Sequence, residues 1–495
     1  MKKILVLLLA LAMLLSLAAC GGTPAETTAS SDATVSTDAP DDGAPKLPDP
    51  KSLDIDGEFR ILVSGNSARD DFEGNSEGTA VQIAIHRRNA VLAEKYGVEI
   101  VNDNISKFGS ITGSGTGFTT IYNDYMAGEG AYDAASIGAY DIATLSYSGY
   151  LHDLNDTPYI DLSKPYWDQK ANADLAIGGK MYYTTGDIAF NDNVCTMAIL
   201  FNKDIVDEYA LDDPYTLVRD NEWTLESFSR LGKAVSEDVN QDGLYDEKDK
   251  YGILTWNDAW MGILAAAGEK ICSVKESGEI ALTLYSERVV NLFDRYRELA
   301  YDQAHCFSYQ YDANTGTVPS TAAWDTNRDA MFNESRALFY MQTMGAVERY
   351  RDSQTDFGIL PYPKMDAEQE EYGHSISAYH VQFICVPEMA KDYERSGIVL
   401  EELAYQGLQL MTPAYYEQSL VGRYVRDEES VDMLDIVFAT RVYDLGSYYK
   451  VGSYETKIKA QHRDRTPLSS MSETYRTSAE QMIMIINASM QSIGE

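Results

Sequence analysis

The feature that most constrains the fold of this 495-residue chain is an alternation of β-rich and helical segments in two successive blocks. In the first block, FRILVS at 59–64 is followed by the helical pattern AVQIAIHRRNAVLAEKYG and then by the β-rich VEIVN. In the second block, VCTMAILFN and YGILTW are predicted strands that flank another helical stretch. Such alternation is typical of mostly parallel sheets covered by helices. The sequence therefore predicts two α/β lobes, followed by a helical C-terminal region in the last hundred residues.

Two blocks of this kind, joined by more than one strand-like crossing, predict a cleft between the lobes. Open α/β sheets bind ligands beyond the carboxyl ends of their strands. Two such sheets that face each other make a pocket that a hinge motion closes. Polar and aromatic residues directly after the predicted strands are therefore the candidates for ligand binding.

The first nineteen residues predict a signal segment, because MKK supplies positive charge and ILVLLLALAMLLSLAA is an apolar run too short to span a bilayer comfortably. The run ends in LAAC, which resembles a bacterial lipobox and implies a lipid on Cys20. A plain secretory signal with a chance cysteine is the alternative. Residues 20–55 lack aromatics and predict a flexible tether. The expected location is the extracellular face of the cell membrane, where the lipid alone anchors the protein.

The formal net charge of −37 excludes a nucleic-acid partner, because such a surface repels phosphate backbones. The six histidines never cluster at ligand spacing and no Cys-x-x-Cys is present, so a zinc site is not expected. Cys195 and Cys385 lie in apolar runs and are predicted to be buried. Whether Cys272 and Cys306 form a disulfide stays open.

The run YDAASIGAYDIATLSYSGYLHDLND, followed by GGKMYYTTGDIAFNDNVCTMAILFNKDIVDEYAL, resembles the extracellular solute-binding proteins of family 1, the sugar receptors of ABC importers. The segment ESRALFYMQTMGAVERYRDSQTDFGILPYPK is similar to another part of that family, and the resemblance covers roughly residues 56–440. It implies a two-lobed periplasmic-binding-protein type II fold, a monomer without enzymatic activity, a carbohydrate ligand and a permease partner. The expected lobe boundaries are 56–194 plus 374–426 for lobe 1 and 195–373 plus 427–495 for lobe 2.

The resemblance also implies ligand-binding residues in the loops at the cleft. These candidates are Asn66, Asp70, Tyr140, Asp141, Asn191, Asp192, Trp256, Asn257, Trp260, Gln342 and Met344. The residue types suit a sugar independently of the resemblance, because aromatic rings cover its C–H faces while amides and carboxylates bind its hydroxyls. The segment WNDAW supplies both kinds of side chain within five residues. Its two tryptophans lie one helical turn apart, so packing into the core is the alternative for them.

The expected solute is a neutral oligosaccharide, since few arginines lie near the candidates in the sequence. Met344 lies where maltodextrin-binding members of the family have a stacking aromatic, which argues against a maltodextrin. A surface glycan-binding adhesin of the same fold is an alternative. A secreted glycoside hydrolase is another, but it needs two carboxylates set across one sugar, and no such pair stands out among the acidic residues.

The stretch DVNQDGLYDEKD at 238–249 matches the template of a calcium-binding loop, with Gly243 at the required turn. The predicted ligands are Asp238, Asn240, Asp242, the carbonyl of Leu244, Asp246 and Asp249. A solvated acidic loop without metal is the alternative. The next segment is a predicted strand and no second loop follows, so the expected role of calcium is structural and not that of a sensor.

Overall fold

Two β-sheets organise the chain in the computed structural model, which describes residues 43–66, 70–424 and 427–493. The predicted signal segment, Cys20 and most of the predicted tether lie outside the described residues. Within these ranges, no helix is both long and apolar enough to cross a membrane.

The strands are short and mostly buried. They are β1 (Gly57–Ser64), β2 (Val98–Asn104), β3 (Ala134–Gly138), β4 (Leu151–His152), β5 (Met197–Asn202), β6 (Ser236–Glu237), β7 (Lys250–Thr255), β8 (Cys272–Val274), β9 (Ile280–Leu282), β10 (Cys306–Ser308), β11 (Ala337–Thr343), β12 (Phe357–Leu360), β13 (His374–Ser375), β14 (Gln382–Pro387) and β15 (Arg441–Val442).

The helices cover the sheets and dominate the C-terminal region. They are α1 (Ala80–Tyr96), α2 (Thr116–Ala127), α3 (Ala139–Tyr147), α4 (Gln169–Leu175), α5 (Asn191–Cys195), α6 (Lys203–Glu208), α7 (Pro214–Arg219), α8 (Leu225–Lys233), α9 (Ala259–Ala266), α10 (Glu287–Ala300), α11 (Thr321–Asn333), α12 (Gly345–Arg349), α13 (Tyr393–Gln406), α14 (Glu428–Ala439), α15 (Leu445–Tyr448), α16 (Tyr454–Lys459), α17 (Gln461–Asp464) and α18 (Leu468–Ser492). Short 3₁₀ turns occur at Pro50–Ser52 and Val451–Ser453, and π-helical segments at Gly407–Met411 and Ala414–Tyr424.

Lobe 1 is built on a sheet of order β2-β1-β3-β14-β4. Strand β1 is parallel to both β2 and β3, with Ile61 opposite Asn102 and Ala134. The predicted βα alternation produces this arrangement: Thr79 and Gln82 form a capping box that starts α1, which ends before β2. Strand β14 then enters antiparallel from much later in the chain.

Lobe 2 is built on a sheet of order β10-β7-β11-β5-β12, with β6 paired to β7. Strands β10, β7 and β11 are mutually parallel, while β5 runs antiparallel between β11 and β12. Two α/β lobes and a helical C-terminal region are therefore present, which confirms the predicted fold class. The predicted lobe boundaries stay a prediction.

Two of the segments in which the chain crosses between the lobes are neighbours, one leading into β5 and the other into β14. Thr196 and Ile376 form a β-bridge between them. The Ser377 N–H donates to the Cys195 carbonyl at 3.0 Å, and the Gln382 N–H donates to Asn191 Oδ1 at 3.0 Å. These paired crossings form the hinge.

A buried ion pair fixes the hinge to the C-terminal region. The guanidinium of Arg441 lies 2.8 Å from the Asp168 carboxylate and 2.9 Å from that of Asp192, and the Arg441 side chain is 16% exposed. Burial raises the pKa of Asp192 to about 6, although Arg441 counteracts the effect. Removal of Arg441 would therefore leave buried negative charge without a partner.

We expect Arg441→Met to lower the free energy of unfolding by about 3 kcal/mol or more, because it leaves two buried carboxylates unpaired. Denaturant unfolding followed by circular dichroism measures this loss. The control is Arg219→Met, which breaks an exposed pair with Glu429 and should change stability little. Equal effects of the two substitutions would contradict the assignment of Arg441 as a buried tie.

Asp71 is a second buried acid near the hinge, where its Oδ1 accepts the Phe190 N–H at 2.9 Å. Burial raises the pKa of Asp71 to about 7. Because the folded protein holds this proton more tightly than the unfolded chain, the stability that the proton provides is present at acidic pH and is lost as pH rises through about 7.

We therefore expect Asp71→Asn, which keeps the acceptor for Phe190 but carries no charge, to raise the melting temperature at pH 8. The gain should shrink toward about pH 5.5, where Asp71 is itself neutral. Thermal unfolding of both proteins across this range is the measurement. A difference that does not change with pH would show that Asp71 does not titrate in this window.

Candidate ligand-binding cleft

A cavity of about 730 Å³ lies between the two lobes, and the hinge residues Val194 and Cys195 are part of its lining. A second cavity of about 410 Å³ shares with it the lining residues Asn257, Gln310, Tyr379 and Lys459. The two cavities therefore form one elongated cleft. Its length and its position between two lobes suit an extended ligand that contacts both.

Lobe 2 contributes an aromatic wall with buried amides. Trp256 directly follows β7, Tyr309 follows β10, and Trp324 lies in the first turn of α11. Gln342, near the end of β11, donates from Nε2 to the Tyr309 hydroxyl at 3.0 Å. The Arg328 guanidinium lies 5.7 Å from the Tyr309 ring centroid. These contacts fix the ring of Tyr309 at the edge of the cleft.

Lobe 1 contributes two aromatics that a single amide positions. The rings of Phe108 and Tyr379 meet edge-on with centroids 5.7 Å apart, and Phe108 is 71% exposed at the mouth of the cleft. Asn66 Nδ2 donates to the Tyr379 carbonyl at 2.8 Å, while its Oδ1 accepts the Gly109 N–H at 2.8 Å. Asn66 therefore holds both aromatic loops together.

A polar network crosses the back of the cleft through α16. Lys459 Nζ lies 2.9 Å from the Asp258 carboxylate and 3.3 Å from that of Glu455. Tyr140 of lobe 1 donates its hydroxyl to Glu455 at 2.8 Å. Burial alone would lower the pKa of the Lys459 ammonium, but Asp258 and Glu455 raise it above its usual value. Lys459 is therefore charged and neutralises carboxylates that face the cleft.

Solved sugar-binding proteins, several of them from ABC transporters, have a similar fold at low sequence identity. One is a substrate-binding protein of an ABC transporter from Listeria monocytogenes in complex with cycloalternan, with a TM-score of 0.53, 12% identity, 88% of this chain covered and 99% of that one. Another is the galacto-N-biose and lacto-N-biose I binding protein from Bifidobacterium longum, with a TM-score of 0.58, 12% identity and coverages of 87% and 98%. A third is the maltodextrin-binding domain from Bdellovibrio bacteriovorus bound to maltotriose, with a TM-score of 0.53, 15% identity and coverages of 86% and 100%.

The chain has the fold of the sugar-binding proteins of ABC transporters. The sequence resemblance to that class is thus confirmed at the level of the fold. No family model and no curated protein matches the sequence itself.

Five of the residues predicted from the sequence line this cleft. Asn66, Trp256, Asn257 and Gln342 line the larger cavity, and Tyr140 and Asn257 line the smaller one. All five lie at or just beyond the ends of strands, where the solute-binding fold exposes them to the space between the lobes. Their contact with a solute stays a prediction.

The structure places three other candidates in structural roles in lobe 1 and the hinge. Asp70 accepts hydrogen bonds from the amides of Asn102 and Asn104 at 2.5 and 2.6 Å. Asp141 is fully buried and accepts main-chain N–H groups from the loop before α2 and from Phe118 in its first turn, at 2.8–3.3 Å. Asn191 is buried in the hinge, where its amide oxygen accepts the Gln382 N–H. None of these three described side chains faces the cleft.

The remaining three candidates are also turned away from the cleft. Asp192 is buried against Arg441. Trp260 packs in the core of lobe 2, with its ring 4.7 Å from that of Tyr296, whereas Trp256 precedes α9 and lines the cleft. Met344 is 1% exposed at the start of α12. Trp260 is therefore a core residue, which was the alternative to ligand binding given for the tryptophans of WNDAW.

Several side chains that line the cleft were not among the residues predicted from the sequence. They are Phe108, Tyr309, Trp324, Arg328, Arg349, Tyr379, Lys450 and Lys459. Phe108 and Tyr379 carried a signal, since each is an aromatic among small or polar residues in KFGS and SAYH. The others come from helices and loops that only the tertiary fold brings to the cleft.

The predicted calcium loop is closed by its own hydrogen bonds. Asp238 Oδ2 accepts the Gly243 N–H at 2.9 Å, and Gly243 has the left-handed conformation (φ 82°) that the template requires. The buried Asp249 accepts the Val239 and Asp246 N–H groups at 2.9 and 2.8 Å. In the described ranges, no three His, Cys, Asp or Glu side chains converge as a metal-binding group. The calcium site stays a prediction.

Cys272 and Cys306 are both buried free thiols, so they form no disulfide.

We expect the purified protein to contain calcium and a chelator to lower its melting temperature without abolishing solute binding, because the predicted site is structural. Atomic emission and thermal unfolding measure the two effects. Asp238→Ala combined with Asp242→Ala should remove the metal. The control combines Glu368→Ala with Glu370→Ala on an exposed acidic surface. Unchanged metal content and stability in the loop variant would refute the site.

Proposed function

We propose that the protein is an extracellular receptor that binds a carbohydrate between its lobes and delivers it to an ABC-transporter permease. The observation that carries this proposal is the convergence of aromatic rings from both lobes on one cleft. Phe108 and Tyr379 approach from lobe 1, and Trp256 and Trp324 from lobe 2. Such rings cover the C–H faces of sugars, while the amide of Asn257, which lines the same cavity, is available to hydroxyls.

The mechanism that we propose is closure on the solute. A ligand that contacts both walls interacts more strongly with the closed than with the open form and so shifts the population toward closure. The paired hinge segments support this mechanism, because the Thr196–Ile376 bridge and the Ser377–Cys195 main-chain hydrogen bond hold the two crossings side by side at the lobe boundary. The proposed anchor at Cys20 would keep the receptor near the permease.

The sugar-bound relatives in fold support the same class of ligand. Their descriptions name cycloalternan, lacto-N-biose and maltotriose, which are all oligosaccharides. They are described as binding proteins, which agrees with a receptor and not with a hydrolase.

We expect Phe108→Ala and Trp324→Ala each to weaken oligosaccharide binding by about tenfold or more, because each removes a ring that can stack on a sugar. Isothermal titration calorimetry with a panel of disaccharides to hexasaccharides measures the affinities. Phe108 is largely exposed, so its loss should leave the melting temperature unchanged.

The matched control is Tyr125→Ala, which removes an exposed ring on α2 that does not line the cleft. It should bind like the wild type. A panel in which no oligosaccharide binds, together with solution scattering that does not change on addition of the sugars, would contradict the proposed function.

A further inference from the structure

The cleft is lined by more basic than acidic side chains, although the chain as a whole has a formal net charge of −37. The basic residues among the lining are Arg328, Arg349, Lys450, Lys459 and Arg463. The acidic ones are Asp258, Asp325 and Glu455. The chain has 77 acidic and 40 basic residues, so the lining of the cleft has the opposite charge balance to the chain as a whole.

The acidic side chains of the cleft all lie beside cations of the protein. Asp325 lies 2.8 Å from the Arg328 guanidinium. Asp258 and Glu455 share the ammonium of Lys459 at 2.9 and 3.3 Å. These carboxylates therefore repel an anionic ligand far less than free carboxylates would.

Among the basic side chains that line the larger cavity, Arg349 has the most distant carboxylate partner. Its nearest carboxylate, Asp329, is 3.9 Å away, and 43% of the Arg349 side chain is exposed. Asp329 is engaged more closely elsewhere, since Arg328 lies 2.9 Å from it and Tyr350 donates its hydroxyl to it at 2.7 Å. The Arg349 guanidinium therefore keeps donors for a ligand in the cleft.

Lys450 occupies the corresponding position in the smaller cavity. Its ammonium donates to the Thr112 carbonyl at 3.1 Å and lies 5.4 Å from the Tyr140 ring centroid. Within the described part of the chain, no carboxylate lies within ion-pair distance of Lys450. Arg463, by contrast, is paired with Asp464 at 2.6 Å.

We infer that the solute is an acidic saccharide, whose carboxylate or sulfate groups bind Arg349 at one end of the cleft and Lys450 at the other. The inference rests on the proposed function and specifies its ligand. A guanidinium matches carboxylate and sulfate oxygens with two parallel hydrogen bonds, and an ammonium binds them as a point charge. Because the two cations line different cavities of one elongated cleft, they suit charges on different sugar units.

The simplest alternative is that Arg349 and Lys450 only balance the charge of the protein. A chain with so many carboxylates offers close partners to most of its cations, and Arg328, Lys459 and Arg463 have them. Arg349 and Lys450 do not, although both line the cleft. A cationic cleft within an acidic surface also focuses anions toward the site, and this effect weakens as salt screens it.

The test measures the affinity of the full-length protein for matched pairs of trisaccharides by calorimetry. Each pair has one stereochemistry and linkage, with a uronate member and its neutral hexose counterpart, in the galacto, gluco, manno and gulo series. A sulfated galactan trisaccharide distinguishes sulfate from carboxylate as the anionic group. Measurements at about 20 and about 300 mM salt report the electrostatic contribution.

We expect an acidic member to bind more tightly than its neutral counterpart, with an affinity that falls as salt rises. Arg349→Gln and Lys450→Gln should each weaken the acidic member by about tenfold or more, since each removes a charge-assisted hydrogen bond. The control Arg351→Gln removes the same charge two residues from Arg349, at a site that does not line the cleft, and should bind like the wild type.

Two results separate the inference from the proposed function. If neutral trisaccharides bind as tightly as their acidic counterparts, or if Arg349→Gln and Lys450→Gln leave acidic binding unchanged, the inference is wrong and the sugar receptor stands. If no saccharide of either kind binds to the wild type, the proposed function fails and the inference fails with it.

Discussion

The pairing of the two hinge segments is the constraint on which the cleft depends. Because Cys195 and Ser377 are hydrogen-bonded across the hinge, β5 and β14 both start at the same boundary between the lobes. Each of these strands is antiparallel to its neighbours, so the parallel strands β1, β3, β7 and β11 end at that boundary. The carboxyl ends of both sheets therefore face one space. The Arg441 ion pair ties the C-terminal region to the same boundary.

This geometry explains which binding residues could be predicted from the sequence. The end of a buried strand is a local signal, and Asn66, Trp256 and Gln342 lie at such ends and line the cleft. The prediction failed where the chain turns after the strand. Asp141 follows β3 by three residues, but its carboxylate accepts the main-chain N–H groups of a neighbouring loop that would otherwise be unsatisfied. Strand alternation locates the cleft without fixing the direction of each side chain.

The charge of the cleft could not be predicted from the sequence for a different reason. The neutral solute was expected because few arginines lie near the candidate residues along the chain. Arg328 and Arg349 reach the cavity from α11 and α12, and Lys450 and Lys459 reach it from the C-terminal helical region. Each of these helices reaches the cleft with only one of its turns. Which turn this is depends on the packing of the helix against the rest of the protein, so the local sequence does not show it.

The distribution of charge gives the fold two different surfaces. Excess acid on the outside favours solubility and weakens non-specific contact with other anionic polymers. Inside the cleft, Asp258, Asp325 and Glu455 would impose the same repulsion on a solute if Lys459 and Arg328 did not pair with them. Because these cations offset part of that negative charge, basic groups without a close carboxylate partner make the potential in the cleft more positive. Arg349 and Lys450 are such groups, and a cleft of that sign would select its solutes by charge as well as by the stacking of rings.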